Sequence, residues 1–173
     1  MGRDKALLPW QGADLLDHAV ARLRAVTPDV RILCGARPRY GERGLPVERD
    51  LVAGAGPLGG VLAGLASAEG RPGLFLAVDL PHVPVALLAR LVERADGWDA
   101  VVPVSPRGPE PLCALYGPGC QEPIRQRVAT GDFKMTAFWP EVRVREVGPA
   151  ELGELGDPEE MFRNLNMPND LTE

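Results

Sequence analysis

The sequence predicts an α/β fold with three layers, in which helices cover both faces of a mostly parallel central sheet. Two observations predict it. Strand-like and helix-like segments alternate along the 173 residues, as they do in chains built from βαβ units. The segment GLFLAV at 73–78 is apolar throughout and is bounded by Gly73 and Asp79, a pattern typical of a central parallel strand. The length suits a single domain over residues 1–173.

The first half of the chain supplies the elements that precede this strand. Residues 14–26 carry apolar side chains at helical spacing, and residues 30–35 form an apolar run that predicts a buried strand. A weaker strand is predicted at 45–50. A Gly-rich turn follows at 54–60, and small residues predict a helix from there to about Ala68.

The second half continues the alternation after Pro81 and Pro84 force a turn. Helices are predicted at 85–95, 121–129, 134–139 and near 158–163, and strands at 99–104, 112–116 and 142–147. Open α/β sheets bind their ligands at the carboxyl ends of strands. The residues that follow the predicted strands are therefore the first candidates for a functional site.

Composition and charge narrow the classes of partner. The net charge of −5 and the aromatic content of 5% disfavour binding to a nucleic acid backbone and stacking on its bases. No apolar run approaches the ~20 residues of a membrane helix, and the charged start MGRDK is unlike a signal peptide. We expect a cytoplasmic monomer without nucleic acid or membrane partners.

Asp79, directly after the apolar strand, is the strongest single candidate for chemistry. A carboxylate there can hold Mg²⁺ beside a phosphate, although Asp is also common at the start of a turn such as this one. The GAGPLGG turn supplies backbone N–H groups at a helix start, where anions bind, and Gly59 and Gly60 allow a ligand or another segment to approach closely. Lys5 either reaches a polyphosphate as a point charge or is solvated at the surface.

Side chains suited to nucleophilic catalysis are scarce. Neither His18 nor His82 belongs to a recognisable pair of nucleophile and base, and the two serines lack a GxSxG context. Asn164 and Asn166 alternate near the end of the chain, where their amides can bind a polar ligand or cap a turn. Hydrolysis through a Ser–His triad is therefore disfavoured.

Five segments, taken in order, resemble the molybdenum cofactor guanylyltransferases (MobA), a family of Rossmann-like nucleotidyltransferases. They are MGRDKALL at 1–8, Asp50 followed by GAGPLGGVLAGL, AVDLPHVP at 77–84, EPLCALY at 110–116 and FRNLNMPNDL at 162–171. The resemblance spans essentially the whole chain. It implies that the protein transfers GMP from GTP to the terminal phosphate of molybdopterin, which releases pyrophosphate and forms molybdopterin guanine dinucleotide.

The resemblance also assigns roles to the charged candidates. It implies that Lys5 contacts the nucleotide's phosphates, that Asp50 binds GTP, and that Asp79 binds GTP together with Mg²⁺. Lys5 and Asp79 are then the catalytic residues. A phosphate monoester is largely dianionic at neutral pH, so this nucleophile needs no general base. The scarcity of candidate histidines and serines agrees with such a reaction.

Further residues are expected around the two substrates. Gly56 and Gly59 of the Gly-rich turn are predicted to contact the nucleotide, and the resemblance implies that Asn164 and Asn166 lie on the pterin side. GTP and molybdopterin are the expected partners. Other proteins of molybdenum cofactor synthesis and acceptor molybdoenzymes are further candidates.

The resemblance leaves specific points open. The family motif LAGGxSxRMGxDKxLL implies a first strand and an AGG phosphate loop upstream of Met1. Met167 stands where the family's tail usually has Thr, and the segment CGAR at 34–37 lacks an asparagine common in the family. A molybdopterin cytidylyltransferase using CTP is the nearest alternative, although the FxNxN tail favours GTP. A non-catalytic module that binds the molybdenum cofactor is the alternative from another class.

Overall fold

The computed structural model describes residues 4–165, which form an α/β structure around a mixed sheet. The strands of this part of the chain are β1 (Pro9–Trp10), β2 (Ala13–Asp14), β3 (Ile32–Leu33), β4 (Val47–Glu48), β5 (Gly73–Leu76), β6 (Ala100–Ser105), β7 (Gly108–Pro109), β8 (Cys113–Tyr116) and β9 (Val144–Val147). The α-helices are α1 (Leu15–Arg24), α2 (Gly56–Ser67), α3 (Val85–Glu93), α4 (Gln121–Ala129), α5 (Pro149–Gly153) and α6 (Pro158–Met161).

The central sheet is mixed, which corrects the prediction of a mostly parallel sheet. Strand β8 lies between β5 and β6 and is antiparallel to both, whereas β9 runs parallel to β6. A parallel connection needs a crossover of about a dozen residues or more. The segment 106–112 between β6 and β8 is shorter than that, and β7 within it folds back on β6 as a hairpin. Strand β8 must therefore run antiparallel.

A second, separate pair of strands lies beside this sheet. Strands β3 and β4 are parallel, with Ile32 opposite Val47 and Leu33 opposite Glu48. Among the described residues, β5 pairs only with β8, so its other edge is not joined to β3. The expectation that 73–78 is a central strand with parallel neighbours is thus wrong for this structure, and the apolar residues of β5 are only half-buried.

Helices cover both faces of the sheet, as predicted. On one face, Ala100 and Val102 of β6 pack with Leu62 of α2 and Ile124 of α4. On the other face, Val101 packs with residues of α3, α5 and α6. Because neighbouring side chains of a strand point to opposite faces, one strand contributes to both layers of the core.

The observed helices match the predictions except in two places. The segment 134–139, predicted as a helix, consists of turns that end in a 3-10 turn at Trp139–Glu141. Phe138 is nevertheless fully buried, so the apolar spacing there reflects core packing without a helix. Helix α5 was not predicted. Within residues 4–165, no helix has both the length and the apolar character needed to cross a membrane.

Candidate active site

A cleft of about 760 Å³ separates the strand pair from the central sheet. Its side walls are β3 and β5, and residues of α1 and α2 close it from the two faces. Arg71 and Asp29, which precede β5 and β3 respectively, form an ion pair of 2.9 Å between Nη2 and Oδ2. The two walls are therefore linked at their amino ends, and the residues that follow the strands lie at the opposite end of the cleft.

Most of the residues predicted to bind nucleotide lie along this cleft. Lys5, Asp50, Gly56 and Asp79 all line it. They come from segments far apart in sequence, and each follows or adjoins the carboxyl end of a strand or the start of a helix. The structure therefore brings together one cationic and two anionic side chains beside a helix N-terminus.

The two glycines at the helix start differ in position. Gly56 begins α2 with a φ of +59°, a conformation that favours glycine, and it is exposed. Gly59 is buried, and a methyl group there would lie 2.8 Å from Cβ of Ala55. Gly60, one position on, lines the cleft. Gly59 therefore allows the helix start to pack closely at Ala55, whereas Gly60 forms part of the cleft wall.

Lys5 projects from a short turn that is anchored on both sides. The 3-10 turn Lys5–Leu7 begins at Asp4, whose Oδ1 accepts a hydrogen bond of 3.2 Å from the backbone N–H of Ala6. Ala6 and Leu8 are both buried, in separate apolar clusters, whereas Lys5 is exposed. The alternation of buried and exposed residues holds the backbone of the turn, and Lys5 lines the cleft.

Asp50 lies between the end of β4 and the first turn of α2. Its backbone N–H donates to the carbonyl of Gly35 at 3.1 Å, and a Cβ at Gly60 would be 3.6 Å from its Oδ1. Burial raises the pKa of the Asp50 carboxyl above its ordinary value. An ionised carboxylate accepts hydrogen bonds but repels phosphate, so this group is suited to the hydroxyl or N–H donors of a nucleoside.

We expect Asp50→Asn to raise the thermal stability of the protein and to weaken GTP binding about tenfold, the size of a lost hydrogen bond to a charged group. Because the folded-state pKa of Asp50 is raised, the ionised form destabilises the folded state at pH 7. This penalty disappears as the pH falls below the ordinary pKa of Asp, about 3.9. Thermal melts at several pH values, with GTP calorimetry at pH 7, measure both effects.

Asp99→Asn is the matched control. Bidentate hydrogen bonds from Arg143 hold the pKa of Asp99 below its ordinary range, so the same replacement there is expected to lower stability at neutral pH. Asp99 lies at the amino end of β6, away from the residues that line the cleft. An Asp50→Asn variant with lowered stability and unchanged GTP affinity would contradict the role assigned to Asp50.

Asp79 follows β5 and is tied to the carboxyl-terminal part of the chain. Its main-chain carbonyl accepts a hydrogen bond of 3.0 Å from the N–H of Leu165. The Leu165 side chain is buried with Trp10 and Leu15. This contact places exposed Asn164, the preceding residue, beside the strand end that carries Asp79. The predicted partner of Asn164 in this role, Asn166, lies outside the described residues.

The carboxylate of Asp79 is suited to bind a Mg²⁺ ion that the phosphates of a substrate also bind. Residues 4–165 hold no group of three or more His, Cys, Asp or Glu side chains arranged for a metal ion. A site made entirely of protein ligands is therefore not formed in this part of the chain. Mg²⁺ in nucleotide enzymes is commonly held by one or two carboxylates together with substrate phosphates and water. A half-buried Asp79 at the cleft is sufficient for that arrangement.

The two histidines belong to a structural cluster around Trp10. His18 shares a hydrogen bond of 2.7 Å between Nε2 and the Trp10 carbonyl, and its ring meets the indole edge-on at 4.7 Å. His82 packs on the same indole at 5.4 Å. Neither residue lines the cleft. Both histidine rings are therefore engaged in packing around Trp10.

Comparison with known proteins identifies the family. The model described as MobA-like NTP transferase domain matches residues 1–143. The chain belongs to the MobA-like NTP transferases. A relative of this chain, a probable molybdenum cofactor guanylyltransferase from Pelotomaculum thermopropionicum, is 34% identical over 99% of the chain and 83% of the relative. The resemblance in sequence motifs is thereby confirmed.

Solved structures show the fold of this MobA-like NTP transferase. Molybdopterin-guanine dinucleotide biosynthesis protein A from Archaeoglobus fulgidus superimposes with a TM-score of 0.79 at 23% identity, covering 98% of this chain and 88% of that one. For 2-C-methyl-D-erythritol 4-phosphate cytidylyltransferase from Thermus thermophilus the TM-score is 0.68 at 22% identity, with coverage of 96% and 90%. The fold is therefore shared by enzymes named for different nucleotides.

Sequence reasoning missed a second group of cleft residues in this MobA-like NTP transferase. Asp4, Gly35, Arg39 and Tyr40 also line the cleft near Lys5. Gly35 is the last residue of the strand predicted at 30–35, so it could have been found as a residue at a strand's carboxyl end. Arg39 and Tyr40 lie in the 36–44 loop, which carries no motif, and only the fold brings them to Asp4.

Proposed function

We propose that this protein transfers GMP from GTP to the terminal phosphate of molybdopterin, releasing pyrophosphate and forming molybdopterin guanine dinucleotide. The observation that carries the proposal is the convergence of Lys5, Asp50 and Asp79 on one cleft, in a chain similar over 99% of its length to a probable molybdenum cofactor guanylyltransferase. Incubation with GTP, molybdopterin and Mg²⁺ tests it directly, with pyrophosphate release and dinucleotide formation as the two products measured.

The reaction needs positioning and charge neutralisation more than proton transfer. An oxygen of the acceptor phosphate attacks the α-phosphorus of GTP, and the bond from that phosphorus to the bridging oxygen breaks as pyrophosphate leaves. The nucleophile is already largely ionised at neutral pH, so no side chain has to remove a proton. Transfers of this kind depend on alignment of the two substrates and on stabilising the negative charge between them.

The cleft residues divide these tasks. Lys5 neutralises charge on the polyphosphate, and the start of α2 at Gly56 lines the same cleft. The first turn of α2 contains no acidic residue, which leaves this helix end favourable to anions. Asp79 would hold Mg²⁺ together with the phosphates, and the ion supplies further neutralisation of the developing charge.

The acceptor is proposed to bind beside the carboxyl-terminal segment. The Leu165 N–H bond to Asp79 brings Asn164 to the strand end at which the two substrates must meet. An amide both donates and accepts hydrogen bonds, so it matches the mixed polar edge of a pterin. Asn166 is proposed for the same side on the basis of the motif alone.

GTP is expected to be used in preference to CTP and ATP by at least about a hundredfold, because a site that hydrogen-bonds one base leaves buried polar groups unpaired with another. The measurement offers the three nucleotides at equal concentration and identifies the dinucleotide product by mass. ATP is the matched control for size, since it differs from GTP only at the base edges. A predominant cytidine product would establish the cytidylyltransferase alternative in place of the guanylyltransferase.

We further propose that the active domain contains one more strand, parallel to β3 and β5 and lying between them. The apolar length of the cleft supports this, because β3 and β5 face each other across it with half-buried Leu33, Leu74 and Leu76 along the walls. The family motif described above contains such a strand and a phosphate loop before MGRDK. Asp4 and Lys5 already lie at the carboxyl end of the cleft, where a strand running this way would end.

A further inference from the structure

The turn that carries Lys5 is bonded to a distant loop through a buried tyrosine. The hydroxyl of Tyr40 donates to Oδ2 of Asp4 at 2.7 Å, and Nη1 of Arg39 donates to the same oxygen at 2.9 Å. The other carboxylate oxygen of Asp4 accepts from the backbone N–H of Ala6. One carboxylate therefore both begins the turn that presents Lys5 and receives two donors from the 36–44 loop.

Tyr40 is held in an unusual conformation for this contact. Its φ of +67° lies in the left-handed region, which is unfavourable for a residue other than glycine. Its side chain is 8% exposed and packs with Ala6, Leu16 and Ile32. Strained backbone persists where the surroundings enforce it and is common at functional sites. Here the enforced conformation delivers the hydroxyl to Asp4.

The neighbouring arginine reinforces the same arrangement. Nη2 of Arg39 donates to the carbonyl of Cys34 at 3.3 Å, and its guanidinium lies 5.3 Å from the centre of the Tyr40 ring. Burial and the hydrogen bond to Asp4 raise the pKa of Tyr40 to about 12, so the hydroxyl keeps its proton at physiological pH. The hydroxyl is thus a permanent donor to Asp4.

We propose that Tyr40 is a positioning residue of the transfer reaction, acting through its hydrogen bond to Asp4 to hold Lys5 at the nucleotide's phosphates. This inference rests on the proposed role of Lys5. It goes further by assigning a function to the 36–44 loop, whose Arg39 and Tyr40 line the cleft and act through Asp4 without having to touch GTP. A shift of the turn by a fraction of an ångström would be enough to misplace a point charge.

The test is a double-mutant cycle with Tyr40→Phe and Lys5→Met. In the presence of Lys5, Tyr40→Phe is expected to lower kcat/KM for GTP about tenfold, the size of a lost hydrogen bond to a charged group. In the Lys5→Met background the same change is expected to cost less than about twofold, because a residue that acts only through Lys5 has nothing left to position. GTP calorimetry on the same four proteins gives the cycle for binding alone.

A second measurement reports the turn itself, without depending on turnover. The backbone N–H groups of Ala6, Leu7 and Leu8 are hydrogen-bonded within the turn, so their exchange with solvent measures its opening. Tyr40→Phe is expected to accelerate their exchange about tenfold. Tyr116→Phe is the matched control, because it removes another buried hydroxyl, bonded to the Pro111 carbonyl at 2.8 Å, at a place remote from Lys5.

The outcomes separate this inference from the proposed function. If Lys5→Met lowers GTP use and the two changes are additive, the role of Lys5 stands and the positioning role of Tyr40 is overturned. If Lys5→Met leaves GTP use unchanged, the role of Lys5 in the proposed function fails, and the inference fails with it. Unaltered exchange at Ala6–Leu8 in Tyr40→Phe, or equal acceleration in Tyr116→Phe, overturns the inference regardless of the kinetics.

Discussion

Asp79→Asn is expected to lower kcat for dinucleotide formation about a thousandfold. The proposed role of Asp79 is to hold Mg²⁺ on the phosphates, and the charge stabilisation that such an ion supplies is worth several kcal/mol, or about tenfold for each 1.36 kcal/mol. An amide of the same shape carries no charge, so it binds this hard cation more weakly than a carboxylate does. Steady-state kinetics across a range of Mg²⁺ concentrations measures the loss and shows whether excess metal restores any rate.

The fold is expected to survive this replacement, which makes the result interpretable. The hydrogen bond between Asp79 and Leu165 uses the main-chain carbonyl of Asp79, and asparagine retains that group. Thermal melting should therefore stay close to that of the parent protein. Asp96→Asn, an exposed substitution away from the cleft, is the matched control for the loss of one negative charge.

Asp79→Asn also distinguishes an enzyme from a module that binds the molybdenum cofactor without catalysis. Mg²⁺-dependent pyrophosphate release that is lost in Asp79→Asn excludes the non-catalytic module that binds the molybdenum cofactor. Turnover that persists within a fewfold of the parent value would contradict the assignment of Asp79. Cofactor binding without pyrophosphate release in either protein would instead favour the module.

Local patterns were sufficient to predict most helices, because an amphipathic face is visible within a short window of sequence. Helix α4 begins and ends where the spacing placed it, at Gln121–Ala129. The segment 134–139 shows the limit of this reasoning. Its apolar residues face the core at helical spacing, but the backbone forms turns that lead into the 3-10 turn at Pro140. Apolar spacing reports which side chains are buried, and a tightly turned loop can bury them as well.

The direction of strands was harder to predict, because it depends on connections and not on the strands themselves. The apolar run of β5 has the composition of a parallel central strand, yet its partner in the described residues is antiparallel β8. The 106–112 loop is too short for a parallel crossover, so its length predicts that β8 runs antiparallel to β6. All residues of β5 are apolar and yet only half-buried, because one edge of the strand borders the cleft.

The candidate site was predictable to the extent that its residues follow strands. Lys5, Asp50 and Asp79 were each chosen from position or motif, and all three line the cleft. The contact between Asp4 and Tyr40 joins residues 36 positions apart and has no local signature. Likewise, the difference between buried Gly59 and exposed Gly56 depends on how α2 packs at Ala55. Such pairings are properties of the folded chain.

Extending the chain with the family's first strand and phosphate loop before Met1 is expected to raise GTP affinity at least about tenfold and to raise the melting temperature. The backbone N–H of Ala77 donates towards β8, to the carbonyl of Leu112 at 2.8 Å. Because N–H groups alternate along a strand, those of Leu74 and Leu76 point towards the cleft. A strand placed there would pair with them and cover the apolar wall, which removes an open sheet edge.

Amide exchange at Leu74 and Leu76 measures whether their N–H groups pair with the added strand. Calorimetry with GTP and Mg²⁺ measures the affinity of the cleft for the nucleotide. The matched control is an extension of equal length with proline at two central positions of the strand, which cannot donate to the ladder and should give neither protection nor the gain in GTP affinity. Exchange at Tyr116, on the far side of β5, should change little in either protein.

GTP binding by the 173-residue chain at the affinity of the extended one would contradict the requirement for the strand. Failure of both chains to bind GTP would leave the cleft without its proposed ligand and would overturn the guanylyltransferase assignment, because Lys5, Asp50 and Asp79 would then be in place with no nucleotide to hold.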